Sequence, residues 1–130
     1  MIGLDTNVLV RYIIQDDRLQ TTVASRILDS LTPEAPGYLS LVVIAELVWV
    51  LESSYGFRRP EVLRILETLL QSEELIVERS ELVWQTLRSF RMSNGDFADC
   101  LIERTADAAG CDYTLTFDRK EVSAGMKLAG

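Results

Sequence analysis

The 130-residue chain contains no histidine. Histidine is the usual general base near neutral pH and the middle member of Ser-His-Asp triads, so its absence removes both arrangements. Any chemistry must therefore use carboxylates, hydroxyl groups, or a metal ion that such oxygen atoms hold.

Cysteine, long apolar runs and targeting segments are also scarce. Cys100 and Cys111 form no CxxC pair and cannot by themselves make a zinc site. We expect Cys100 to be a buried thiol and neither residue to form a disulfide, which fits a reducing compartment. No apolar run approaches the roughly 20 residues of a membrane helix, and no signal-peptide pattern opens the chain. These features predict a cytoplasmic protein without a membrane segment.

Positive charge is in short supply. The net charge is −7, with 13 basic and 20 acidic residues. This balance argues against general nucleic-acid binding, which needs a basic surface. It does not exclude an enzyme that acts on nucleic acid, because a metal-binding cluster must itself be acidic. Most of the basic residues are Arg, which suits bidentate phosphate contacts and ordinary surface ion pairs alike.

Short apolar strands alternate with helices along the whole chain. We expect strands at 2–4, 37–39, 75–78, 113–117 and 126–128, and helices at 6–14, 17–31, 41–52, 60–72, 81–92 and 97–109. Ser40 and Ser80 are the expected N-caps of two of the helices. The alternation predicts one domain over residues 1–130, with an α/β/α three-layer fold and a mostly parallel sheet of four to five short strands.

Four carboxylates stand out against apolar surroundings. Asp5 and Asp118 each follow a predicted strand, Glu46 lies alone in the apolar segment 41–51, and Asp99 lies in an apolar helix. Ligands of parallel α/β sheets bind beyond the carboxyl ends of the strands. The four acids could therefore converge on one rim of the sheet.

Each acid except Glu46 also has an ordinary structural explanation. Asp5 can be a helix N-cap, Asp99 can belong to a capping box begun by Asp96, and Asp118 can be a turn residue. Glu46 lacks such an explanation, because no other polar residue shares its segment. The neighbouring polar residues are open to two interpretations as well, as caps or strand residues or as groups that orient a carboxylate or a water: Thr6, Asn7 and Thr116.

Taken together, the acids favour a cation. Four carboxylates near one point repel one another and are tolerable mainly around a metal ion. Ligation by oxygen alone favours Mg²⁺ or Mn²⁺. Water activated by such an ion and attacking a phosphodiester is the reaction with the fewest missing parts.

Four segments carry a family likeness: residues 2–11, 40–51, 96–106 and 115–119. In this order and with these acids, the chain resembles PIN-domain ribonucleases, and among them the VapC-type toxins of toxin–antitoxin pairs. The likeness implies a PIN fold and a Mg²⁺- or Mn²⁺-dependent endoribonuclease. It also implies a homodimer and a small cognate antitoxin whose C-terminal tail blocks the acidic groove.

The resemblance also assigns roles by position. It implies the catalytic acids Asp5, Glu46, Asp99 and Asp118, with metal ligation by Asp5, Asp99 and Asp118. Thr6, Asn7 and Thr116 become polar support, and Asp96 matches an acid that many relatives carry beside the third motif. The segment after Asp118 departs from the family pattern, since it lacks the frequent aromatic residue near Val122.

Two other functions remain open at this stage. A haloacid-dehalogenase-like phosphatase also begins with a strand and an Asp, but it needs a second Asp where this chain has Asn7. A binding module without chemistry could use the same acidic groove to receive Arg side chains of a partner.

Surface contacts are expected from two further sets of residues. We expect phosphate contacts from basic residues that flank the acids, although each could instead only balance surface charge: Arg11, Arg91, Arg119 and Lys120. We expect the homodimer to use apolar helix faces, with Trp49, Val50 and residues 63–70 as candidates.

Overall fold

The computed structural model describes every residue from Met1 to Gly130. The chain divides into two compact units, Met1–Glu78 and Arg79–Gly130. None of the helices is both long and apolar enough to cross a bilayer.

The first unit is a parallel sheet connected by helices. Its elements in chain order are β1 (Ile2–Gly3), α1 (Thr6–Ile14), α2 (Arg18–Ser30), β2 (Gly37–Leu39), α3 (Leu41–Tyr55), α4 (Arg59–Gln71) and β3 (Leu75–Val77). The strands pair in the order β1-β2-β3, with Ile2 opposite Gly37 and Gly37 opposite Leu75. Because all three strands run the same way, their carboxyl ends meet at one edge, and α1 and α3 both begin there.

Helix caps fix where α1 and α3 begin and end. Asp5 is the N-cap of α1, and Ser40 caps α3 by accepting a hydrogen bond from the Val43 N–H at 3.2 Å. The carboxylate of Glu78, just after β3, accepts from the Leu41 N–H at 2.8 Å. Helix α3 ends at Gly56, whose φ of 67° is costly for residues other than glycine.

The core of the first unit comes from the inward faces of these elements. Its most deeply buried side chains are aliphatic: Leu9, Leu39, Ile44, Leu47, Val48, Leu51, Val62 and Leu66. At roughly 1.5–3 kcal/mol for each fully buried side chain, this apolar set is the main source of stability. Part of the segment 63–70, which was predicted to form the dimer interface, is buried inside the unit instead. Leu63 and Leu66 lie in this core, because the inner face of α4 packs against α3 and β3.

The second unit contains α5 (Ser80–Met92), α6 (Phe97–Ala108), β4 (Leu115–Thr116), a 3₁₀ helix (Arg119–Val122) and β5 (Lys127–Leu128). The two α-helices pack together, and the rings of Phe90 and Phe97 meet edge to face with centroids 5.7 Å apart. β4 and β5 form a parallel pair of two residues each. Cys100 is buried, as expected, and Cys111 is exposed.

The predicted α/β class with short, parallel strands is confirmed. The five strands are hydrogen-bonded as one three-stranded and one two-stranded ladder. The predicted strand 113–117 is shorter than expected, because β5 offers only two residues to pair with, and Phe117 is left 89% exposed.

Two helix boundaries also differ from expectation. The helix predicted at 41–52 continues to Tyr55, and the Ser53 hydroxyl donates to the Trp49 carbonyl at 2.6 Å. Ser80 is not the N-cap of α5. That position belongs to Arg79, whose carbonyl accepts the first helical bonds from the N–H groups of Leu82 and Val83.

Candidate metal site and active-site acids

In the first unit, Thr6 links two of the predicted acids. The Asp5 carboxylate accepts from the Thr6 N–H at 2.7 Å, so Asp5 is also the helix cap. The buried Thr6 hydroxyl donates a short hydrogen bond to Oε1 of Glu46. Thr6, at the start of α1, therefore binds two carboxylates, that of the preceding residue Asp5 and that of Glu46 in α3.

Glu46 lies in a different environment from the one its sequence suggests. The segment is apolar, yet the Glu46 side chain is exposed. It lies on the outer face of α3 together with Val42 and Trp49, which follow its helical spacing and are 74% and 67% exposed. The helix is apolar on both sides, so the sequence alone could not indicate which face was buried.

A pocket of about 420 Å³ surrounds this pair of acids. It is lined by Asp5, Thr6, Asn7, Val10, Arg11, Glu46, Val50, Ser54 and Tyr55. Asn7 is exposed in it and makes no hydrogen bond to Asp5. Arg11 contributes a positive charge to the wall, and its guanidinium also pairs with Asp16 at 2.8 Å. Carboxylates and a guanidinium in one concave site suit a phosphate-bearing ligand together with a cation.

The second unit contains a cluster of three carboxylates. One oxygen atom each from Asp96, Asp99 and Glu121 lies within 4.8 Å of the other two. Asp96 is exposed at the N-terminus of α6, Asp99 is half-buried one turn later, and Glu121 is buried in the 3₁₀ helix. We call these three residues the acidic triad.

Glu121 is the member that sequence reasoning missed. It follows Arg119 and Lys120, so it looks like one more charge in a solvated segment. In the structure its side chain is only 2% exposed, and no donor reaches either of its carboxylate oxygens. The other buried residues of this segment, Ala124 and Met126, follow at spacings of three and two, which match no single period, so the sequence carried no signal for Glu121.

The surroundings of Glu121 favour its protonated form when no cation is present. Burial raises its pKa to about 7, and the negative charges of Asp99 and Asp96 act in the same direction, while Lys120 opposes them.

Asp96 and Asp99 do not form the capping box that their spacing allowed. Asp96 occupies the N-cap position, but its side chain makes no capping hydrogen bond. Its carboxylate pairs instead with the Lys120 ammonium at 3.3 Å. The capping box that would have given Asp99 a purely structural role is therefore absent. A carboxylate oxygen of Asp99 lies near those of Asp96 and Glu121.

Asp118 and Thr116 have a local structural role. The Asp118 carboxylate accepts from the Lys120 N–H at 3.1 Å and so caps the 3₁₀ helix, while the Thr116 hydroxyl accepts from the Asp118 N–H at 3.1 Å. Asp118 is exposed and does not belong to the acidic triad. Its role as a metal ligand stays a prediction.

The acidic triad fits a hard divalent cation. All of its donors are carboxylate oxygens, which suit Mg²⁺, Mn²⁺ or Ca²⁺ and not the softer metals. The 4.8 Å limit between donor atoms is about twice a typical metal–oxygen distance of roughly 2.0–2.6 Å, so one ion can reach all three after small side-chain movements.

The predicted phosphate-contact residues fall into different environments. Arg11 lines the pocket of the first unit, and Lys120 is paired with Asp96. Arg91 at the end of α5 and Arg119 in the 3₁₀ helix are exposed. Their contact with phosphate stays a prediction.

Comparison with known proteins identifies the class. The model of the PIN domain family matches residues 2–124, and the chain belongs to that family. Among individual proteins, it is similar to the VapC ribonuclease of Aquifex aeolicus (strain VF5), with 26% identity over 125 residues that cover 95% of this chain and 92% of the relative. No solved structure matches the chain significantly. The resemblance seen in the sequence motifs is thereby confirmed, and the haloacid-dehalogenase-like alternative is wrong.

The bond between Thr6 and Glu46 can be measured as a coupling energy. Replacing Thr6 with Val removes the donor while keeping the shape, and replacing Glu46 with Ala removes the acceptor. We expect a double-mutant cycle in urea unfolding to give a coupling of about 0.5–1 kcal/mol, which is below the roughly 1.5–3 kcal/mol of hydrogen bonds to charged groups because Glu46 is exposed to water. Thr6→Val combined with Glu34→Ala, in an exposed loop of the same unit, should be additive. Equal behaviour of the two cycles would count against the bond.

Proposed function

We propose that this PIN-domain protein is a metal-dependent endoribonuclease and the toxin component of a toxin–antitoxin pair. The single observation that carries the proposal is the acidic triad, in which a buried carboxylate with no hydrogen-bond donor faces two more carboxylates. The similarity to a protein named VapC ribonuclease supplies the substrate class.

We propose further that residues 1–130 act as one PIN domain. The support is the family match, which spans residues 2–124 and so includes the acids of both units. On this proposal Asp5, Glu46, Asp99 and Asp118 are the catalytic acids, with Asp5, Asp99 and Asp118 as metal ligands. Thr6, Asn7, Asp96 and Thr116 support them.

The residues of the chain would divide the work as follows. A bound Mg²⁺ or Mn²⁺ supplies charge neutralisation at the scissile phosphate and lowers the pKa of an attacking water. Thr6 fixes the direction of the Glu46 carboxylate through its hydroxyl. Glu46 is exposed, so its free oxygen is available to receive a proton from the attacking water. The pocket around Asp5 and Glu46 is wide enough for a nucleotide-sized group.

The partners follow from the same proposal. RNA is the substrate, and a small cognate antitoxin would inhibit by placing a tail over the acids. We expect the protein to work in the cytoplasm, where RNA is available, and as a homodimer. Trp49 and Val42 lie on either side of Glu46 on the outer face of α3, and both are exposed. Large exposed apolar side chains support an apolar interface that borders this acid.

The test of the function is cleavage of structured RNA by purified protein. We expect cleavage with Mg²⁺ or Mn²⁺ and none with EDTA, and a loss of at least about a hundredfold in Asp5→Asn and Asp99→Asn, since each removes a carboxylate that would act on the ion or on the phosphate. Glu34→Gln removes one exposed loop carboxylate and should cleave like wild type. Binding of RNA without cleavage under all metal conditions would instead favour a binding module.

Phosphate contact by Arg119 predicts a change in salt dependence. Each contact to single-stranded RNA should contribute about 0.7 to the slope of log affinity against log salt concentration. In an Asp5→Asn background, which is expected to be inactive, adding Arg119→Gln should weaken RNA binding and lower the slope by about that amount. If slope and affinity are unchanged, Arg119 only balances surface charge.

The dimer interface can be tested at Trp49. A Glu at this position replaces the large apolar side chain with a charge, which should prevent association because burying an unpaired charge at an interface is costly. We expect a dimer for wild type and a folded monomer for Trp49→Glu by light scattering at micromolar concentration. Met92→Glu, on a residue that is 87% exposed in α5, is the matched control. Monomeric wild type would refute the dimer.

A further inference from the structure

The most unusual group in the second unit is the Glu121 side chain. Both of its carboxylate oxygens are buried and lack a hydrogen-bond donor, and one of them faces the oxygens of Asp96 and Asp99. We propose that Glu121 is a ligand of a divalent cation, which it binds together with Asp96 and Asp99. This inference rests on the proposed metal-dependent function. It adds Glu121, which the four acidic motifs do not contain, and it gives Asp96 the role of a ligand where the motifs give it a supporting role.

Burial without a partner is the first argument. An ionised carboxylate in a protein interior is strongly destabilising unless a cation or several donors compensate it. The N–H donors near Glu121 are used elsewhere, because those of Ala124 and Met126 bind its own carbonyl oxygen. The nearby ammonium of Lys120 pairs with Asp96. A cation from solution would satisfy the oxygens that the chain leaves without a partner.

Charge balance is the second argument. When ionised, the acidic triad carries three negative charges, and Lys120 offsets one of them through its contact with Asp96. The remaining two negative charges equal the charge of one divalent ion. A monovalent ion would leave net repulsion among the three carboxylates of the triad.

The third argument is that the backbone fixes the position of Glu121. Its N–H donates to the Asp118 carbonyl, and its carbonyl oxygen accepts from the N–H groups of Ala124 and Met126, all at 3.1 Å. The side chain therefore starts from a fixed point and has little freedom to turn toward solvent. A preorganised ligand loses little entropy on binding an ion.

Gly95 supplies the space that the carboxylate needs. A Cβ atom at this position would lie 3.1 Å from Oε2 of Glu121 and 2.8 Å from Cβ of Ala124. Gly95 does not have a positive φ, so the backbone conformation does not require glycine here. The missing side chain leaves room for Oε2 immediately before Asp96, at the start of the helix that carries the other two acids.

The alternative is a permanently neutral Glu121 that only fills space. It would stay protonated and contribute nothing to cation binding. The two cases differ in how the isosteric Glu121→Gln substitution affects metal affinity. Gln keeps the size of the side chain and removes its charge, so it should fold in either case.

The experiment measures Mn²⁺ binding to the full chain without RNA. Free Mn²⁺ is followed by electron paramagnetic resonance, and the melting temperature is recorded with and without Mn²⁺. We expect Glu121→Gln to weaken Mn²⁺ binding by at least about tenfold, because it removes a charged ligand from the triad. It should also raise the melting temperature of the metal-free protein, since it relieves repulsion, and reduce the further rise that Mn²⁺ produces.

Glu81→Gln is the matched control, because it makes the same chemical change at an exposed position in α5. It should bind Mn²⁺ within about twofold of wild type. Glu121→Asp keeps the charge but withdraws the carboxylate by one methylene, and it should bind more weakly than wild type. It replaces Glu121→Gln as the deciding variant if that protein fails to fold. Wild-type Mn²⁺ affinity in the deciding variant would overturn the proposal.

RNA cleavage by wild type separates this inference from the proposed function. If wild type cleaves RNA with Mg²⁺ and Glu121→Gln keeps its Mn²⁺ affinity, the ligand role fails and the nuclease stands. If Mn²⁺ binding depends on Glu121 but no RNA is cleaved, the ligand role stands and the proposed activity fails.

Discussion

Repulsion between carboxylates held close together is the constraint on which the candidate site depends. The first unit meets it with donors from the chain: the Asp5 carboxylate receives the Thr6 N–H, and Glu46 receives the Thr6 hydroxyl. In the second unit, no donor from the chain offsets this repulsion at Glu121, whose carboxylate lies close to those of Asp96 and Asp99. The acids of the first unit are therefore stable as they stand, whereas the acidic triad needs a proton or a cation. This difference is the physical reason for placing a cation at the triad.

Helix capping and the candidate chemistry use the same residues. Asp5 is the N-cap of α1 and also lines the pocket with Glu46, so its two interpretations from sequence are compatible. Asp96 occupies an N-cap position, yet its carboxylate bonds to Lys120 and not to the helix. Asp118, in contrast, caps the 3₁₀ helix, because its carboxylate accepts a hydrogen bond from the Lys120 N–H. A short polar side chain at a helix start is well placed for either task, because the free N–H groups and the strand end lie side by side.

Family membership and local geometry answer different questions. The match to the PIN domain family covers nearly the whole chain and excludes the phosphatase alternative, since that would require another fold. The proposed substrate class rests on the similarity to a VapC ribonuclease, at 26% identity. Neither comparison indicates Glu121. That residue emerges only from burial and from the absence of donors, which are properties of the folded chain.

The sequence by itself determined the order and type of the elements, the beginning of α1 at Thr6 and the three residues of β2, and it made the acids of the four motifs candidates for the site. It could do so because strand propensity, helix period and capping act between near neighbours. Tertiary structure decided which side of α3 faces solvent, and so the exposure of Glu46. It also decided the length of β4 and the burial of Glu121. Each of these depends on which distant segment packs against a residue, and a charge beside Arg119 and Lys120 looks solvated until that packing removes it from water.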